Sequence, residues 1–205
     1  MTTSLEQQIL DRKARRKATL RRFTGHPSLM IGTVILLLLV VVALAAPWLA
    51  PYSPTRTSLV NTLQDASWAH PLGTDQFGRD VLSRLIHGTR VSLLVAFWVV
   101  TLSLVIGTII GGIAGFLGGW IDRGINVVND ILMAFPGFLL ALAIVATQGS
   151  SLESVIIAVS IAYTPRVTAV MRSVALTIRP RPFIEASHSI GMTSTRILFR
   201  HVIPN

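Results

Sequence analysis

The chain has 205 residues, of which 51% are hydrophobic and 13% charged, with a formal net charge of +9 and no cysteine. A soluble domain carries about 25% charged residues, so the composition points away from that class and toward a membrane protein. Without cysteine, disulfides and thiolate metal sites are impossible. The basic residues are separated by long apolar runs, which argues against a nucleic-acid partner.

In chain order, residues 1–27 form a basic tail in which seven Lys/Arg (Arg12, Lys13, Arg15, Arg16, Lys17, Arg21, Arg22) face only Glu6 and Asp11. Each such base near an anionic leaflet contributes about 1 kcal/mol of attraction, so the tail is expected on the inner face of the bilayer. Residues 28–50 form the first transmembrane helix. No charge lies between Arg22 and Arg56, and Leu29–Ala50 is long enough for a core of about 30 Å. Ala43-Leu44-Ala45 resembles a signal cleavage site, but the apolar stretch continues through Trp48 and Leu49. That length leads us to expect an uncleaved anchor.

Residues 51–90 read as an external loop. Pro51, Ser53, Pro54 and Ser58 make its first part irregular. Val81, Leu82, Leu85 and Ile86 then recur at helical spacing among Asp80, Ser83, Arg84 and His87, which predicts a short amphipathic helix. Residues 91–205 form a membrane core with spans over about 91–119, 131–151 and 154–173. In the first of these, Gly107, Gly111, Gly115 and Gly119 are four apart and share one helical face. Such a stripe lets a second helix approach closely, and static packing is its default reading. Phe135-Pro136-Gly137 opens the next span, either as a kink beside a pathway or as an irregular helix start. The last span is apolar only over 154–165, so it crosses only if the helix continues past Arg166 toward Arg172. Arg166 is expected to snorkel to the inner face. Residues 166–205 hold six Arg against Glu185 alone. Both basic ends are therefore expected in the cytoplasm, which requires an even number of crossings. The expected fold is an all-α integral membrane protein with four transmembrane helices.

No GxxxxGK[ST], HExxH or GxSxG motif occurs, and the five histidines are scattered. The chain is expected to catalyse nothing and to hold no metal or cofactor. If it drives active transport, the energy comes from a partner.

Two segments carry a family resemblance. His70-Pro71-Leu72-Gly73-Thr74-Asp75-Gln76-Phe77-Gly78-Arg79-Asp80, continuing to Arg84 and Gly88-Thr89-Arg90, resembles the external signature of the C-type permease in dipeptide, oligopeptide and nickel importers. Read from its residues, Gly73 and Gly78 supply turns, and Asp75, Arg79 and Asp80 can form a charge network. Glu185-Ala186-Ser187, then Gly191, then Ile203-Pro204-Asn205 resembles the EAA loop of binding-protein-dependent permeases, with Ser187 replacing the second alanine. Pro180 and Pro182 precede the motif, and His201 stands where the general pattern has Ile.

The resemblance implies a permease subunit of a bacterial ABC importer in the cytoplasmic membrane, moving di- or oligopeptides. Nickel or another small solute is the alternative cargo, and a permease without transport of its own is the alternative outside transport. It implies a second homologous permease, two ATP-binding subunits and an extracytoplasmic solute-binding protein as partners, with ATP and magnesium on the ATP-binding subunits. In that family the coupling loop, here 180–205, docks in the ATPase, with Glu185, Ala186, Ser187, Gly191, Ile203 and Pro204 in the motif. Family members have six spans, so the sequence to Asn205 is expected to lack the C-terminal two.

Overall fold

A long apolar run needs its backbone hydrogen bonds made internally, and helices do this alone. A computed structural model describes residues 25–205, and the basic tail expected over 1–27 falls mostly outside them. The described chain is helical and divides into two compact units between Leu93 and Leu94.

In the first unit, α1 spans Pro27–Leu49. Pro27 sits in its first turn, where the missing N–H costs nothing. The helix is apolar all round and its leucines stand exposed, for example Leu36 at 54% and Leu38 at 61%. That is the character of a helix whose solvent is lipid. After a short 3₁₀ turn at Leu59–Asn61, residues 62–80 fold into a tight loop that delivers the chain to α2.

Helix α2 spans Val81–Leu117, 37 residues. The amphipathic helix expected before residue 91 and the span expected over 91–119 are therefore one element. Charged residues such as Arg84 and Arg90 favour the helix as well as apolar ones do, and no proline lies between them. At about 1.5 Å per residue α2 is about 55 Å long, well beyond a hydrocarbon core.

In the second unit, α3 (Gly119–Ala134) and α4 (Gly137–Gln148) replace the single span expected over 131–151, with α3 beginning in the stretch between that span and the one expected to end near 119. They meet at a bend of 90°. The cause is Pro136, which drives Phe135 out of the helical region to φ −88°, ψ 137°. Helix α5 (Leu152–Ile178) does continue past Arg166, with Pro165 inside it. It is followed by α6 (Pro182–Ser189) and α7 (Ser194–Ile197), the latter passing into a π-helical turn at Leu198–Val202. Helices α1, α2 and α5 are each long and apolar enough to cross a membrane, and the bent pair α3–α4 passes the same test jointly. Among the described residues the architecture is thus an all-α membrane fold with three spans, or four when the bent pair counts as one.

Candidate functional site

Two constellations matter. The first is the loop 51–80. Gly73 and Gly78 adopt φ of +70° and +67°, conformations that side chains resist. A Cβ on Gly73 would strike the Gln64 carbonyl, and one on Gly78 the Ser58 carbonyl. Both glycines therefore let the loop fold back on itself. Buried Thr74 ties the fold: its Oγ1 donates to the Asn61 carbonyl at 2.5 Å and accepts from the Gln64 N–H at 2.9 Å.

The charge network forms, but in two parts. Asp75 accepts from the Phe77 and Arg79 backbone N–H groups, at 2.8 and 3.0 Å, and pairs with Arg79 Nε at 2.8 Å and with Arg84. Asp80 is 3% exposed and does not join it. Instead Asp80 accepts the Ser83 N–H at 2.7 Å, capping α2, and holds His70 Nδ1 at 2.9 Å. The His70 ring lies tilted by 35° against Tyr52, with centroids 4.9 Å apart, and the Tyr52 backbone N–H donates to Ser83 Oγ at 3.1 Å. The cap role of Asp80 was readable from its place three residues before Ser83 at a helix start. The partner His70, ten residues away, left no comparable signal.

Partial burial pushes the Asp75 carboxyl up, but the Arg79 and Phe77 N–H groups and the Arg79 guanidinium outweigh it and bring it down to about 2. Burial likewise opposes ionisation of Asp80, and the hydrogen bonds from Ser83 and His70 again prevail, lowering it. Both carboxylates are held below their unfolded value, so their stabilisation is complete above about pH 4 and lost as pH falls through the folded values. We expect the loop to be unchanged between pH 7 and 5 and to loosen between about pH 4 and 2. Hydrogen exchange at the Phe77 and Arg79 amides, which donate to Asp75, corrected for the intrinsic pH dependence, checks this. Asp75→Asn should remove part of the acid transition without moving α1.

The second constellation is the 107–205 face. Gly107, Gly111 and Gly115 lie buried against α5. A Cβ on Gly107 would stand 2.6 Å from Val167 Cβ, and one on Gly115 2.5 Å from the Arg172 carbonyl. Gly119 does not belong to this contact. Helix α2 ends at Leu117, Gly118 and Gly119 turn the chain at φ +70° and +62°, and nothing lies near Gly119. The four-residue spacing outlasts the helix that gave it meaning.

Below this crossing a compact apolar cluster forms. Phe116 of α2, Ala175 and Ile178 of α5, Ile184 of α6, and Ile197, Leu198 and Val202 are buried together. It fixes α6 and the π-helical turn onto the ends of α2 and α5. The motif residues divide accordingly. Ile184 and Ser187 face inward, Ser187 Oγ donating to the Phe183 carbonyl at 2.7 Å, and Ile203 packs half-buried on the cluster. Glu185, Ala186, Gly191 and Pro204 face outward. Ser187, bonded within α6, and Ile203, packed on the cluster, are thus turned toward the chain's own core and do not share an outer docking face with Glu185. On a helix, neighbours 185 and 187 point 200° apart, so they could not share it. Gly191, at φ +81°, forms the turn after α6. His188 lies parallel to Phe116 with centroids 6.3 Å apart.

A bidentate ion pair completes the face. Arg172 Nε and Nη2 donate to the two carboxylate oxygens of Asp122 at 2.5 and 2.7 Å. Sequence reading assigned Arg172 only to a membrane face. No spacing rule pairs residues fifty apart.

Most of the chain also matches known proteins in sequence. The binding-protein-dependent transport system inner membrane component matches residues 107–205, and the N-terminal TM domain of oligopeptide transport permease C matches residues 15–66. The chain is 42% identical over 176 residues to a dipeptide transport system permease protein of Alkalihalophilus pseudofirmus, covering 86% of this chain and 58% of the relative. The chain belongs to the binding-protein-dependent permease family. This permease is also 38% identical over 185 residues to a glutathione transport system permease protein of Pectobacterium atrosepticum, covering 90% of it and 62% of the relative. The corresponding protein of Escherichia coli is 40% identical over 185 residues, with 90% and 61% covered. The permease thus spans about six-tenths of the length of these relatives. Among its described residues no His, Asp and Glu group has the makings of a metal site.

Proposed function

We propose that this permease is a transmembrane subunit of an ABC importer that carries di- or oligopeptides across the bacterial cytoplasmic membrane. The observation that carries the proposal is the split of α6: Ile184 and Ser187 are locked inward while Glu185 and Ala186 stand free outward. A docking helix needs both faces, one to grip its partner and one to pass force into its own spans. Relatives named for dipeptide and glutathione transport supply the substrate class.

In this reading Glu185, Ala186, Gly191 and Pro204 meet an ATP-binding subunit. Two such subunits bind ATP and magnesium, and this chain binds neither. Their closure pushes α6, and the push reaches α2 and α5 through the apolar cluster. A second homologous permease completes an alternating-access pathway, and an extracytoplasmic solute-binding protein delivers the peptide to the face that bears the 51–80 loop. Basic residues at both ends favour a cytoplasmic N-terminus, with α3–α4 counted as one crossing. Glu185→Arg puts a like charge where the partner offers a base. It is expected to cut ATP-dependent dipeptide uptake in proteoliposomes at least tenfold, with membrane insertion unchanged. Unchanged uptake would refute the assignment of this helix.

A further inference from the structure

Resting on that reading, we infer that the Asp122–Arg172 pair is the strut that carries movement of α6 into α3 and thence to the bend at Pro136. Both are positioning residues for transport.

The glycines set the geometry. Gly111 and Gly115 bring the α2 backbone onto the α5 backbone at Met171 and Arg172. With α2 so close, the Arg172 guanidinium must pass beyond the end of α2. There Gly118 and Gly119 turn the chain through positive φ, and α3 starts at once. The turn sets Asp122, in the first turn of α3, onto both donors of Arg172. Asn126, one turn further along, holds the same carboxylate through Nδ2 at 2.7 Å. Arg179 lies seven residues beyond Arg172, on the same stripe of α5, with its guanidinium against Gly118.

Three features make this a strut. The contact is bidentate, so it resists rotation as well as separation. It is the one ion pair among the described residues of 94–205. It also lies one turn along α5 from Ala175, which is buried in the cluster that grips α6. A displacement of α6 therefore reaches Arg172 through Ile178 and Ala175, and crosses to α3 through Asp122. At its far end α3 meets the 90° bend into α4. A rigid link at one end and a proline break at the other make α3 a lever.

The test uses the assembled importer in proteoliposomes. The chain has no cysteine, so in an importer whose partner subunits are also made cysteine-free, cysteines introduced at exposed Val127 on α3 and Ser173 on α5 take spin labels at those two sites alone. In the wild type the labelled distance should stay narrow with and without ATP. Asp122→Asn and Arg172→Gln should each broaden it and reduce dipeptide molecules carried per ATP hydrolysed by about tenfold, within the range for residues on a coupling route. The exchange Asp122→Arg with Arg172→Asp should restore both readings. Wild-type coupling in either single variant overturns the strut. Loss in the singles without rescue by the exchange also overturns it, since that marks a merely structural pair. Should wild-type importer carry no dipeptide, the importer reading fails, while the label distances still decide the strut.

Discussion

Gly111→Leu should prevent α2 and α5 from meeting and remove the permease from the proposed importer complex. A Cβ alone at residue 111 would strike the Thr168 carbonyl and stand 3.0 Å from both Arg172 N and Met171 Cβ. Two of those three atoms belong to the α5 backbone, which cannot rotate aside as a side chain can. Overpacking a core usually costs about 1–3 kcal/mol. With backbone as the obstacle, about 3 kcal/mol is a minimum, and leucine adds three more carbons. Each 1.4 kcal/mol is tenfold in an equilibrium, so recovered complex should fall by about a hundredfold. Gly111→Ala should already show a clear loss. Gly124→Ala is the internal control, because nothing lies within 4 Å of Gly124 and alanine favours a helix interior by about 0.5–1 kcal/mol. Yield after mild-detergent purification measures all three. Normal yield for Gly111→Leu would mean that α2 and α5 are not joined along this stripe in the membrane.

What the sequence could and could not show follows from the range of the interactions. Apolar runs are local, so the helices and the three longest spans were legible. The glycine stripe was legible because four-residue spacing is a property of one helix. Its last member was misassigned because two adjacent glycines can also end a helix, and spacing does not distinguish the cases. The bend at Pro136 was visible only as an alternative. Proline states that a helix is interrupted, while the angle depends on what α4 packs against. The external signature and the coupling loop were found through resemblance. The division of the coupling loop into inward Ser187 and outward Ala186 needs the cluster on α2 and α5, which lies up to seventy residues away in sequence. His70–Asp80 and Asp122–Arg172 were missed for the same reason: each pair is made by the fold.

That division yields the sharpest test of the coupling segment. Ile184 is 2% exposed and Ala186 is exposed, on one helix and two residues apart. Ile184→Asp removes a buried isoleucine and leaves an unpaired carboxylate in the apolar cluster, a loss of at least about 3 kcal/mol. The carboxylate would sit among Phe116, Ala175, Ile178 and Ile197, none of which can donate a side-chain hydrogen bond. Helix α6 should detach, and limited proteolysis in micelles should cut the chain between Arg179 and Arg200. Ala186→Asp adds the same group to the outer face. There water still solvates it, and the protease pattern should match the wild type. Both variants should lose the proposed ATP-binding subunit on purification, for opposite reasons: one has no ordered helix to present, the other presents a helix with an altered surface. Equal protease resistance in the two would show that Ile184 does not anchor α6. Retention of the ATP-binding subunit by Ala186→Asp, with α6 intact, would move the docking surface to another part of the chain.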